Sequence, residues 1–162
     1  MSPCTFGSKP THGLSLNGGG GEHPYSYEGI PSWHGLTGTS FAMATILIID
    51  DEQLIRTLLR FALEAEGHEV TEAANGRIGL ALYRHRPTDL VITDILMPEL
   101  NGLDMLLELT REFIHAKVIA ISGAGGEQND LDVAKLLGAR QTFQKPLSMS
   151  KLLDAVRYEL NH

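Results

Sequence analysis

A chain of 162 residues has room for one ordinary domain with a sizeable core plus a tail, and its 43% hydrophobic and 20% charged residues exclude a disordered or fibrous chain. A formal charge of -7 argues against direct nucleic-acid binding, which draws its affinity from Lys and Arg neutralising phosphates. Cys4 is the only cysteine, no apolar run approaches the roughly 20 residues of a membrane helix, and no secretory signal pattern opens the chain. A reducing, cytoplasmic setting without a membrane partner is the expectation.

In chain order, residues 1–42 come first and differ from the rest: a glycine run at Gly18 to Gly21, many Ser, Thr and His, and no sustained apolar period. A flexible tail is expected there. Cys4, His12, His23 and His34 are too widely spaced for an established zinc pattern. Met43 then opens MATILIIDD, which reads like a natural start, so residues 1–42 are a candidate for vector-derived sequence or a misplaced start codon. Residues 43–162 are the expected domain.

From Thr45 onward, short apolar runs alternate with helical patterns. Strands are expected at 45–49, 68–73, 89–93, 117–121 and 140–143. One helical stripe is formed by Leu54, Ile55, Leu58, Leu59, Ala62 and Leu63, and another by Leu103, Leu106, Leu107, Thr110 and Ile114; each should bury one face. Further helices are expected over 77–86, 128–137 and 148–160, with Gly67 and Gly138 as left-handed caps past helix ends. The repeated strand-helix unit predicts an α/β fold, a doubly wound (βα)5 three-layer sandwich. ILII, LVIT and VIAI are apolar on both faces, whereas EVTEA and RQTFQ are mixed, so strands 1, 3 and 4 belong inside a parallel sheet of order 2-1-3-4-5. In that order the ligand crevice lies at the carboxyl ends of strands 1 and 3.

Asp50 and Asp51 follow the first of these strands and Asp94 follows the third. Three carboxylates so close need a shared proton or a cation, and Mg²⁺, which takes oxygen ligands from one or two carboxylates, waters and phosphate, suits them. A plainer reading of Asp51, ahead of Glu52, is a helix N-terminal cap. Ser122 after the fourth strand and Lys145 after the fifth come to the same rim. Lys145 could pair with Asp94 or with a phosphoryl oxygen, and Ser122 could bond another oxygen. Gly123 leaves the space above open.

The acidic pair in IIDDE, the segment DILMP from Asp94 to Pro98, Gly102, the pair Ile121-Ser122 and FQKP ending at Pro146 together resemble the receiver domains of two-component response regulators, CheY-like members of the flavodoxin-like fold. The resemblance covers residues 43–162. It implies that Asp94 takes a phosphoryl group from the phosphohistidine of a sensor histidine kinase or a histidine phosphotransfer protein, forming an aspartyl phosphate. Asp51 and Asp94 would bind Mg²⁺ (or Mn²⁺) directly, with Asp50 acting mainly through water and the Leu96 backbone carbonyl as a further ligand. Lys145 would contact the phosphoryl group. The chemistry is coherent, because phosphoryl transfer is mostly positioning and charge neutralisation, and a carboxylate needs no separate base to act as nucleophile.

The resemblance also implies an output. Ser122 would move toward the phosphoryl oxygen and Phe143 would follow it inward, changing the face of the fourth helix, fifth strand and fifth helix, with the loop at 124–129 as the moving part. That face is where a phosphorylation-dependent homodimer or an unknown downstream effector would dock. Lys145-Pro146 is expected to be cis, as in the family. Phe143 stands where Tyr is common in the family, and Ser122 where Thr is common. No output domain is expected after His162, leaving a stand-alone switch or the receiver part of a longer regulator. A turnover enzyme is not expected: the Asp-x-Asp pattern of aspartyl phosphatases is missing, as are the Gly, Ser and Thr amides of a flavin or nucleotide loop.

Overall fold

The computed structural model describes residues 43–98, 100–123 and 128–162, so the expectations for residues 1–42 and most of the 124–129 loop lie outside it. Among the described residues five strands alternate with five helices: β1 (Thr45–Ile49), α1 (Gln53–Ala65), β2 (Glu69–Ala73), α2 (Gly76–His85), β3 (Leu90–Asp94), α3 (Gly102–Glu112), β4 (Val118–Ser122), α4 (Gln128–Leu136), β5 (Gln141–Gln144) and α5 (Met149–Asn161). The strands are all parallel in the order β2-β1-β3-β4-β5, as the strand composition predicts.

The physical reason is visible in the burial. β3 and β4 are buried along their whole length and β1 at all but its first residue, whereas β2 and β5 are largely half-exposed edges. Alternate side chains of the central strands enter two apolar layers. Ile46, Ile48, Ile92 and Ile121 pack with Leu59 and Leu63 of α1 and Leu152 and Val156 of α5. Leu47, Ile49 and Val91 pack with Leu80 of α2, Met105, Leu106 and Leu109 of α3, and Ala134 of α4. Each fully buried aliphatic side chain contributes roughly 2 kcal/mol.

Local signals end the elements. Gly67 and Gly138 have φ of 89° and 107°, the left-handed conformation expected of both. Asn75 and Asn101 cap α2 and α3 by accepting the amides of Ile78 and Leu103 at 2.8 and 2.6 Å.

Several expectations need correction. β3, β4 and β5 each begin and end one residue later than expected, so Asp94 and Ser122 end their strands themselves. The α1 stripe is narrower than its apolar pattern: Leu59 and Leu63 are buried, while Leu54 and Leu58 are 77% and 52% exposed because the sheet covers only one side of the helix. In α3 the buried positions are Gly102, Met105, Leu106 and Leu109; Ile114 lies beyond the helix end and is exposed.

Candidate functional site

Parallel pairing aligns the carboxyl ends of the central strands. Asp94 stands opposite Ile121 at the β3–β4 ladder end, and Ser122 opposite Gln144. Asp50 follows β1 directly, and its amide donates to the Ala73 carbonyl at 3.2 Å. Carboxylate oxygens of Asp50, Asp51 and Asp94 consequently lie within 4.8 Å of one another, with Asp50 and Asp94 buried and Asp51 exposed.

Each buried acid is anchored by the chain that turns away from it. Asp50 Oδ1 accepts the Glu52 amide at 2.8 Å, and Asp94 Oδ1 accepts the Leu96 amide at 2.9 Å. Glu52 occupies the α1 N-cap position without a side-chain cap bond, so the capping alternative raised for Asp51 is not what α1 shows. Gly102 explains how the chain passes so near: a Cβ there would lie 2.1 Å from the Asp94 carbonyl oxygen, a distance no side chain can occupy. The Gly102 amide instead donates to the Ile95 carbonyl at 2.8 Å.

Lys145 closes the site. The Lys145-Pro146 bond is cis, as expected, and the Lys145 amide donates to the Ser122 carbonyl at 2.8 Å. The ammonium Nζ lies 2.6 Å from Asp94 Oδ2, 3.1 Å from Asp50 Oδ2 and 2.9 Å from Glu52 Oε1. The pairing of Lys145 with Asp94 that its position allows is thus formed. Burial by itself would lower the Lys145 ammonium, but hydrogen bonds to Asp94 and Glu52, with the charges of Asp94 and Asp50, outweigh it and hold the group well above its ordinary value.

One ammonium does not neutralise these carboxylates. Burial pushes the Asp50 carboxyl up from its ordinary value and the Asp94 charge adds to that, against the pull of the Glu52 amide and of Lys145. A buried, under-compensated group of hard oxygen donors with one exposed member fits a divalent cation approaching from the Asp51 side.

The remaining expected residues surround this centre. Ser122 is buried beneath the rim, and among the described residues its Oγ makes a long 3.5 Å contact to the Gly123 carbonyl. Among the described residues a side chain at Gly123 would meet nothing within 4 Å. Leu96 and Pro98 are exposed, as is Pro146, and Phe143 is half-buried against the α1/α5 apolar layer. Sequence reasoning does not reach Glu52 as a third Lys145 partner, nor Arg56, whose Nη1 donates to the Asp50 carbonyl at 2.7 Å. The acidic triplet DDE is the one signal that pointed toward Glu52.

The fold and this acidic rim define a class, and the comparisons agree with it. Residues 46–157 match the response regulator receiver domain family. The chemotaxis protein CheY of Thermotoga maritima is 34% identical over 112 residues, covering 68% of this chain and 92% of that protein. The KDP operon transcriptional regulatory protein KdpE of Escherichia coli is 36% identical over 118 residues, 73% of this chain and 52% of that protein. The chain thus spans about half the length of one relative and nearly all of the other. A crystal structure of a response regulator receiver domain protein from Clostridium thermocellum superposes with a TM-score of 0.69 at 35% identity, covering 74% of this chain and 95% of that one. The chain belongs to the response regulator receiver domain family, the phosphoryl-accepting switches of two-component signalling. Members of this family act as signalling switches rather than as enzymes turning over a separate substrate. Among the described residues no helix is long and apolar enough to cross a membrane.

Proposed function

We propose that residues 43–162 form the receiver and that Asp94 is its phosphoryl acceptor. The observation that carries this is the position of the Asp94 carboxylate, buried at the β3 end, 2.6 Å from Lys145 Nζ and grouped with the Asp50 and Asp51 carboxylates. An Asp94 oxygen forms the new bond to phosphorus as the phosphorus–nitrogen bond of a partner phosphohistidine breaks and the imidazole leaves with its electron pair. No general base is needed, because the nucleophile is a carboxylate. Asp50, Asp51, Asp94 and the Leu96 carbonyl are the groups that would hold Mg²⁺, or Mn²⁺ in its place. The ion supplies charge neutralisation for the incoming phosphoryl oxygens.

Lys145 transfers its contact from the Asp94 carboxylate to a phosphoryl oxygen, and Ser122 offers its hydroxyl to another. Phosphorylation adds about -1.5 to -2 charge, enough to draw both groups and to bias the arrangement of Phe143 on the adjacent strand. The face of α4, β5 and α5 then signals to a downstream effector or to a second copy in a phosphorylation-dependent homodimer. The phosphoryl donor is a sensor histidine kinase or a histidine phosphotransfer protein in the cytoplasm. The protein catalyses its own phosphorylation and dephosphorylation without turning over another substrate.

Incubation with acetyl phosphate and Mg²⁺, followed by intact mass, tests the reading. One added phosphoryl group is expected, absent in Asp94→Asn and absent with chelator. Labelling that survives either change overturns the assignment.

A further inference from the structure

We propose that Arg56 is a positioning residue for the cation site, clamping the Asp50 carbonyl so that Asp50 and Asp51 present their carboxylates together. The inference rests on the cation-binding reading above.

Asp51 stands in a bend beyond the last residue of β1, outside the sheet ladder. Its position depends on the peptide unit that joins it to Asp50, and the Asp50 carbonyl belongs to that unit. Arg56 Nη1 donates to that carbonyl at 2.7 Å from the first turns of α1. The guanidinium is itself held: its side chain is 14% exposed and Nε lies 3.9 Å from Glu72 Oε1 on β2. On its other side Asp50 is tied by its amide to the Ala73 carbonyl, also on β2. Both peptide groups flanking Asp50 are therefore bonded, one to the β2 backbone and one to an arginine braced on β2. A planar guanidinium with several donors suits the task of bonding a carbonyl while leaning on a carboxylate.

The neighbouring Arg60 supplies an internal contrast. Its Nε is 3.3 Å from Glu72 Oε2, close enough for an ion pair yet outside hydrogen-bonding geometry, and no bond from Arg60 to Asp50 is formed. Arg56 and Arg60 share a helix, a charge and a partner, and Arg56 alone of the two reaches the acidic turn.

The clamp makes a prediction opposite in sign to that of charge. A guanidinium near a divalent-cation site repels the cation, so if Arg56 acted through its charge, removing it would tighten binding. If it acts by holding the Asp50 carbonyl, removal loosens the carboxylates and weakens binding. A contribution to folding alone lowers the melting temperature and leaves cation affinity where it was.

The experiment is calorimetric titration of the full chain with MgCl₂, repeated with MnCl₂, on wild type, Arg56→Met, Arg60→Met, Glu72→Gln and Arg56→Lys. Arg56→Met is expected to weaken binding about tenfold, the scale on which partners of metal ligands act. Glu72→Gln weakens it less, and Arg60→Met leaves it unchanged. Arg56→Lys, which keeps a donor within reach of the carbonyl, recovers most of the affinity. Affinity that is unchanged or tighter in Arg56→Met overturns the clamp; if that variant does not fold, unchanged affinity in Glu72→Gln does so. Wild type that binds neither ion overturns the cation site itself, a result distinct from either.

Discussion

Two aspartates at opposite ends of the same sheet meet opposite environments. Asp89, at the amino-terminal rim just before β3, accepts the Thr45 amide at 2.7 Å and the Thr45 hydroxyl at 2.8 Å. Those bonds, led by the amide, hold its carboxyl below the ordinary value. Asp50, at the carboxyl-terminal rim, also accepts an amide and faces Lys145, yet its carboxyl is pushed up because burial and the neighbouring Asp94 outweigh both. One end of the sheet uses a carboxylate to fasten strands. The other keeps carboxylates together at a cost in stability, a pattern expected where a cation and a phosphoryl group must bind.

The largest effect is expected from disturbing the backbone that lets the acids gather. Gly102→Ala places a methyl where the Asp94 carbonyl oxygen already is, and is expected to cost about 3 kcal/mol as the α3 entry is forced away. Urea denaturation reads the stability loss, and phosphorylation by acetyl phosphate should fall with it; an unaltered midpoint would contradict the close approach.

Asp50→Asn should have a smaller effect of the opposite sign. Because the folded carboxyl is raised, folding favours its protonated form, so its stabilising contribution is present at low pH and is lost as pH rises through the folded value. At neutral pH in chelator the ionised group is a liability, and the amide, which still accepts the Glu52 N–H, relieves it. A melting temperature higher by about 4 °C is expected, corresponding to about 1 kcal/mol. Added Mg²⁺ should narrow or reverse the difference, since wild type binds the ion better.

The smallest effect belongs to Asp89→Asn. Asp89 is exposed, and its loss weakens charge-assisted bonds to Thr45 by about 0.5–1 kcal/mol. Its depressed carboxyl gives stability that is present above the ordinary aspartate value and disappears as pH falls through the folded value. Melting in an acid series should show wild type and variant converging as pH falls through the folded carboxyl's lowered value, with no response to Mg²⁺ at either end of the series. A Mg²⁺-dependent gap would show that the two rims are not independent.

The fold was legible because burial and strand composition are the same fact seen twice. ILII, LVIT and VIAI can only be satisfied between neighbours on both faces, and that places β1, β3 and β4 inside. Strand ends were harder to read: backbone pairing continues through Asp94 and Ser122 regardless of side-chain polarity, so a polar residue does not mark where a ladder stops. Helix periodicity overstated α1, since Leu54 and Leu58 satisfy the apolar pattern while facing away from the sheet.

The placement of Asp50, Asp51, Asp94, Ser122 and Lys145 on one rim could be read from sequence position, because a parallel sheet brings all strand ends together. Glu52 and Arg56 could not. Their roles depend on long side chains reaching sideways from the start of α1 to Lys145 and to a backbone carbonyl, and no spacing rule encodes that reach.

Among the gathered carboxylates, Asp94 is the one proposed to carry the phosphoryl group. Borohydride reduction of the acetyl phosphate-treated protein converts an aspartyl phosphate to homoserine, and peptide mapping by tandem mass spectrometry locates it. Homoserine at position 94, dependent on Mg²⁺, is the predicted result; homoserine at position 50 or 51 with position 94 unmodified would contradict the account.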